Sequence, residues 1–203
     1  AAAASYSTPA HLVLYAQWTA TSYTLTFSAD ASLSSGAVPT SQSFTVAAGA
    51  TLPDGTSMTR AGYSFLKWNS ATGGSGTDWH AGDSYTTPGS ATLYAVWTAT
   101  PYTVHYDANL GTGTTPSDQS FTVESPATLA TGSGLSLTGY ALSQWNTASN
   151  GSGTDLAKGA NYATAGDVTL YAVWTADSGS GGGSSGSGSG GGGTSSSPAP
   201  NVV

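Results

Sequence analysis

A five-residue phrase returns three times along this chain. Leu14-Tyr15-Ala16-Gln17-Trp18 recurs as Leu93-Tyr94-Ala95-Val96-Trp97 and again as Leu170-Tyr171-Ala172-Val173-Trp174, at spacings of 79 and 77 residues. Self-similarity at a long period means one structural unit copied along the chain, which restricts the fold before composition does. Further pairs sit 77 residues apart: Gln42–Val46 with Gln119–Val123, Gly62-Tyr63 with Gly139-Tyr140, Trp68-Asn69 with Trp145-Asn146, and Gly74–Asp78 with Gly151–Asp155. The two-residue difference between the spacings therefore falls in one place, between Phe27 and Pro39, where the second copy runs from Tyr106 to Pro116. A loop tolerates such a change and a strand does not. Ser5–Pro9 aligns with Ser84–Pro88, so residues 1–18 read as the end of an earlier copy. The expected organisation is repeat 1 over 19–97, repeat 2 over 98–174, and a linker over 175–203.

Within each copy the local patterns are those of strands. Tyr23, Leu25 and Phe27 alternate with threonines, as Tyr102, Val104 and Tyr106 alternate with Thr103 and His105. Period-two alternation of aromatic and branched residues marks a half-buried strand. Gly, Ser, Asn and Pro clusters between these runs mark turns. No segment sustains a helical period. In the last strand Leu93, Ala95 and Trp97 point one way and Tyr94 and Val96 the other. The place of Val96 is taken by Gln17 in the partial copy, so the Leu/Ala/Trp face is expected inward, with Val96 and Val173 more exposed than Leu93 and Leu170. The expected core is Trp18, Tyr63, Trp68, Leu93, Trp97, Tyr140, Trp145, Leu170 and Trp174.

Composition removes several functions. Charged residues are 6% of the chain, against about 25% in an ordinary soluble domain. Lys and Arg together number 3 and the net charge is −7, so no basic surface exists for phosphates and nucleic acid is excluded as a partner. No apolar run approaches the roughly 18 residues of a membrane span. Cysteine is absent, which removes disulfides, thiolate metal sites and cysteine nucleophiles. Ser178–Gly193 is Gly and Ser only, a composition with no core to offset ordering entropy, and is expected to be a flexible linker. The chain opens in mid-pattern, so it is expected to be a fragment of a longer protein.

Tyr102–Asn109, Gly62-Tyr63-Ser64-Phe65-Leu66-Lys67-Trp68-Asn69, Gly74–Thr77 and Thr169–Trp174 stand in fixed order. In these motifs the chain resembles the Listeria–Bacteroides repeat family, the internalin-type B repeat, over residues 1–175. Repeat 1 departs at Ser28-Ala29-Asp30, where repeat 2 has Asp107-Ala108-Asn109, and Leu142 replaces Phe65 in repeat 2. The resemblance implies a mainly β, β-grasp-like unit of about four strands. It also implies an extracellular bacterial surface location and no catalytic residues.

Candidate chemistry is sparse. His11, His80 and His105 occupy unrelated repeat positions, and Lys67 has Gln144 as its counterpart. Asp78 and Asp155 recur, but each follows a Gly-Ser-Gly-Thr turn with no second carboxylate at fixed spacing, so a turn role is expected rather than acid–base work. Asp107–Asp118 starts like a calcium loop but lacks Gly at its sixth position and Glu at its twelfth, so no metal and no cofactor is expected. The expected function is a non-catalytic spacer or adhesive stalk of monomeric beads. The alternative is a module binding a glycan or a host surface protein through Tyr94 and Tyr171, since an exposed tyrosine face can stack on sugar rings.

Overall fold

The computed structural model describes residues 13–177. His11, the start of the earlier copy and the Gly/Ser linker lie outside the described residues. The chain is mainly β. Among the described residues there is no α-helix, and the helical turn present is 3-10, at Thr72–Gly74.

Ten strands build two five-stranded sheets. The first holds β1 (Ser22–Ser28), β2 (Gln42–Thr45), β3 (Tyr63–Asn69), β4 (Asp78–Trp79) and β5 (Ala91–Ala99). The second holds β6 (Tyr102–Asp107), β7 (Gln119–Phe121), β8 (Tyr140–Asn146), β9 (Asp155–Leu156) and β10 (Val168–Ala176). Their orders are β2-β1-β5-β3-β4 and β7-β6-β10-β8-β9, the same topology twice. The opening and closing strands pair in parallel in the middle of each sheet: Phe27 faces Leu93 and Tyr106 faces Leu170. Four of the five strands in each sheet are those legible in the sequence; β4 and β9 add two residues each at an edge. A parallel pair needs a long crossover connection, and β2 and β3 with their loops supply it, as β7 and β8 do in the second sheet.

The described residues group into two compact units. One takes the chain up to Ala31 with Val38–Ser57 and Lys67–Val96; the other takes Ser32–Ala37, Met58–Leu66 and the chain from Trp97 onward. The division runs through β3 and β5.

Equivalent aromatic pairs repeat with nearly equal geometry. Phe27 lies 4.8 Å from Trp68 and Tyr106 lies 4.7 Å from Trp145. Phe44 meets Tyr85, and Phe121 meets Tyr162, at 5.4 Å in both cases. Each central indole N–H donates to backbone, Trp68 to Pro53 O and Trp145 to Ala130 O, at 2.8 Å in both. Leu93 and Leu170 are fully buried beneath them.

Three core expectations need correction. Trp18 is 92% exposed. Its two counterparts sit in a strand flanked on both sides by others, whereas residues 13–21 form no strand, so nothing covers the indole. Tyr63 and Tyr140 are only half-buried, because both open a strand directly after a turn and keep one edge in solvent. Trp97 is also half-buried, while its counterpart Trp174 is 1% exposed. The loop after β6 accounts for Trp174: its indole N–H donates to Ala108 O and Asn109 O, each at 3.1 Å. That loop approaches so closely that a Cβ on Gly111 would overlap the indole ring. Repeat 1 has the longer, differently composed loop here. Trp97 instead packs edge-on against Phe65 at 6.2 Å, where repeat 2 has Leu142.

Candidate functional site

The closing strands carry the surface that the sequence singles out. Tyr94 and Tyr171 are half-buried on the face opposite Leu93 and Leu170. Val96 follows the expected facing and is half-buried, but Val173 is 1% exposed. The reason is a loop laid over the second face of the sheet. Asn109 Nδ2 donates to Ser149 O at 3.0 Å and to Ala172 O at 2.9 Å, tying the loop after β8 across β10. Asp30, which stands in the place of Asn109, has no side-chain N–H to give. It accepts from Gly73 N at 2.7 Å instead.

The recurring carboxylates belong to a buried staple. Asn69 and Asn146 are wholly buried polar side chains in otherwise apolar surroundings. Asn69 Nδ2 donates to Asp78 Oδ1 at 2.6 Å, and its Oδ1 accepts from Ala71 N and Gly76 N, each at 2.9 Å. Asn146 repeats this with Asp155 at 2.6 Å, Ala148 N at 2.8 Å and Gly153 N at 3.1 Å. One amide thus closes the Gly-Ser-Gly-Thr loop and satisfies its inward N–H groups, which would be costly to bury unpaired. Sequence reasoning placed Asp78 and Asp155 in a turn but missed the asparagines. The signal was available: a polar residue recurring directly beside a core tryptophan.

The ionisable groups lie apart from one another. Lys67 Nζ is 2.6 Å from Asp78 Oδ2. This ammonium, and after it the Asn69 amide, holds the Asp78 carboxyl below the ordinary range. Asp54 is lowered by the backbone N–H and hydroxyl of Thr56, as in any Asx turn. His80 stands 3.9 Å from Asp83, and His105 stands 2.9 Å from Asp118. The second pair has hydrogen-bond reach, but its side chains are 46% and 60% exposed on an open sheet surface. Acid–base chemistry needs such a pair beside a cleft that holds a substrate. The concavities lined by Thr24, Thr26 and Thr92, by Tyr23, Val46 and Ala47, and by Thr147, Leu156 and Tyr162 contain neither histidine. Among the described residues no group of three or more His, Asp or Glu side chains converges on a point that could hold a metal. Asp107 Oδ1, the first position of the supposed calcium loop, accepts from Asn109 N at 2.7 Å.

The fold and its surface define a class: a tandem β repeat whose recurrent features are structural. The model of the Listeria-Bacteroides repeat domain matches residues 23–96 and 102–173. The chain belongs to this family of bacterial surface-protein repeats. It is also similar to two proteins of Evansella cellulosilytica. One, described as a "Putative Gly-rich membrane protein", is 33% identical over 101 residues, covering 48% of this chain and 11% of that protein. The other, described as a "Putative membrane protein", is 32% identical over 88 residues, covering 43% of this chain and 13% of that protein. The matched region is thus a small part of both relatives. Among the described residues no helix is long and apolar enough to cross a membrane.

Proposed function

We propose that this chain is a non-catalytic extracellular repeat region of a bacterial cell-surface protein, serving as a spacer that displays another part of that protein. The observation that carries this reading is what recurs between the copies. The aromatic pairs, the indole-to-backbone bonds and the Asn–Asp staple recur with distances equal to within 0.2 Å. The chemically capable groups do not: Lys67, His80 and His105 each occur in one copy only. A repeat that preserves packing and lets its reactive groups vary is built for extent. The names of the Evansella relatives agree with a location at the cell envelope.

The test replaces residues 19–174 of the parent surface protein with an unrelated β repeat array of matched length. Under the spacer reading the substituted protein displays its distal part and adheres as before, while simple deletion impairs both. Loss of adhesion on substitution overturns the reading. In that case Tyr94→Ala and Tyr171→Ala, assayed on immobilised polysaccharide, test the glycan-binding alternative.

A further inference from the structure

Two turns with the same backbone differ in what covers them. At Arg60–Tyr63, Tyr63 N donates to Arg60 O at 3.1 Å and Gly62 O accepts from Thr100 N at 2.9 Å. At Leu137–Tyr140, Tyr140 N donates to Leu137 O at 3.0 Å and Gly139 O accepts from Asp177 N at 2.9 Å. Gly62 and Gly139 share a φ of 79°. Yet Gly62 is buried and Gly139 is exposed. A Cβ on Gly62 would overlap the methyls of Val123, in the turn that follows β7; a Cβ on Gly139 would meet nothing within 4 Å. Around the covered turn, the Tyr63 hydroxyl is hydrogen-bonded to the Glu124 carboxylate, and the Arg60 guanidinium lies 3.6 Å from the Tyr63 ring centre. Both sides of this contact fall inside the second compact unit.

The partner that fills the Gly62 hollow also exists twice. Val46 and Ala47 occupy the repeat positions of Val123 and Glu124. Both turns are closed by a threonine whose Oγ1 accepts a backbone N–H, Ala48 N at 3.2 Å and Ser125 N at 3.0 Å. Val46 is 45% exposed. The chain thus holds one filled hollow, one open hollow at Gly139, and one uncovered valine turn at Val46.

We infer that the open hollow at Leu137–Tyr140 receives the Val46–Ala47 turn of a second copy of this chain, so that copies associate head to tail. The occupant follows from the filled hollow, which shows what this turn accepts. It also follows from the sequence, because the segment after Asp177 is Gly and Ser and carries no repeat motif in the place that supplies Val123. Such an interface is heterologous, joining different surfaces of the two copies, and it propagates rather than closing at two. It is weak, because the Arg60 and Glu124 positions are Leu137 and Ala47 at the open ends, leaving only apolar contact. The inference stands apart from the display reading and survives its failure.

Sedimentation velocity on the full chain, from about 10 μM to 1 mM, tests it. Three variants are used. Val46→Asp removes the knob. Gly139→Asn blocks the hollow, and asparagine tolerates the left-handed backbone there. Ala47→Glu with Leu137→Arg copies the filled contact onto the open ends and is expected to tighten association about two- to fivefold. Melting curves matching the parent chain establish that each variant is folded; should Gly139→Asn fail this, Thr138→Glu takes its place. The expected result is concentration-dependent growth for the parent and stronger growth for the double variant. Each single variant stays monomeric alone, but their equimolar mixture forms a 1:1 dimer that grows no further, since one knob and one hollow remain. A double variant that stays monomeric at 1 mM, association that survives Val46→Asp, or a mixture that fails to dimerise each overturns the inference.

Discussion

Asn146 shows how much one side chain can decide in a chain with few charges. Its amide meets three partners across a loop, all inside a wholly buried environment. Asn146→Ala leaves Ala148 N and Gly153 N without their acceptor. The expected loss is about 2–3 kcal/mol in urea unfolding, set by the cost of burying unpaired donors. Asp78 offers a second residue-scale test, because Lys67 lowers its pKa and Gln144 stands at the equivalent position in the other repeat. A depressed carboxylate contributes stability above its unfolded pKa, near 3.8, and loses that contribution as pH falls through the lower folded value. The stability difference between the parent and Lys67→Gln is therefore expected at pH 6 and should vanish toward pH 2. Thermal melting across that range reads it.

Among the elements, the two closing strands diverge because their neighbours do. β5 and β10 share the Leu-Tyr-Ala-Val-Trp phrase, yet their tryptophans have different surroundings. Trp174 is roofed by the short loop after β6 and bonded to it through its indole N–H, so Trp174→Ala is expected to cost about 3–5 kcal/mol. Trp97 keeps part of its ring in solvent beside Phe65, so Trp97→Ala should cost less, about 2–3 kcal/mol. Equal losses in guanidinium unfolding would mean that the loop contributes nothing to Trp174. The contrast lies in the one region where the two repeats differ in length.

At the scale of the molecule, stability rests on buried aromatics and backbone pairing, not on charge. Among the described residues the ion pair formed by a lysine is Lys67–Asp78, and it is partly exposed. Surface pairs of this kind contribute about 0–1 kcal/mol and are screened by salt. Raising sodium chloride from 0.05 to 1 M should therefore change unfolding free energy by less than about 1 kcal/mol. A larger drop would show that electrostatics holds the fold.

The β class, the repeat period, the inward face of Leu93 and Leu170 and the absence of a recurrent catalytic pair were all legible in the residues. These are properties of pattern, and a strand's period of two shows in any alternation long enough to count. Tertiary structure alone decided the parallel pairing of opening and closing strands, since alternation says which face is buried and not which strand lies alongside. It also decided the fate of residues with identical local sequence. Val173 is buried where Val96 is not, Trp174 is roofed where Trp97 is not, and Gly62 is covered where Gly139 is open. In each pair the strand or turn is the same, and the difference comes from a segment distant in sequence that folds over one member. Burial is a property of what arrives on top of a residue, and a repeated motif does not encode its visitors.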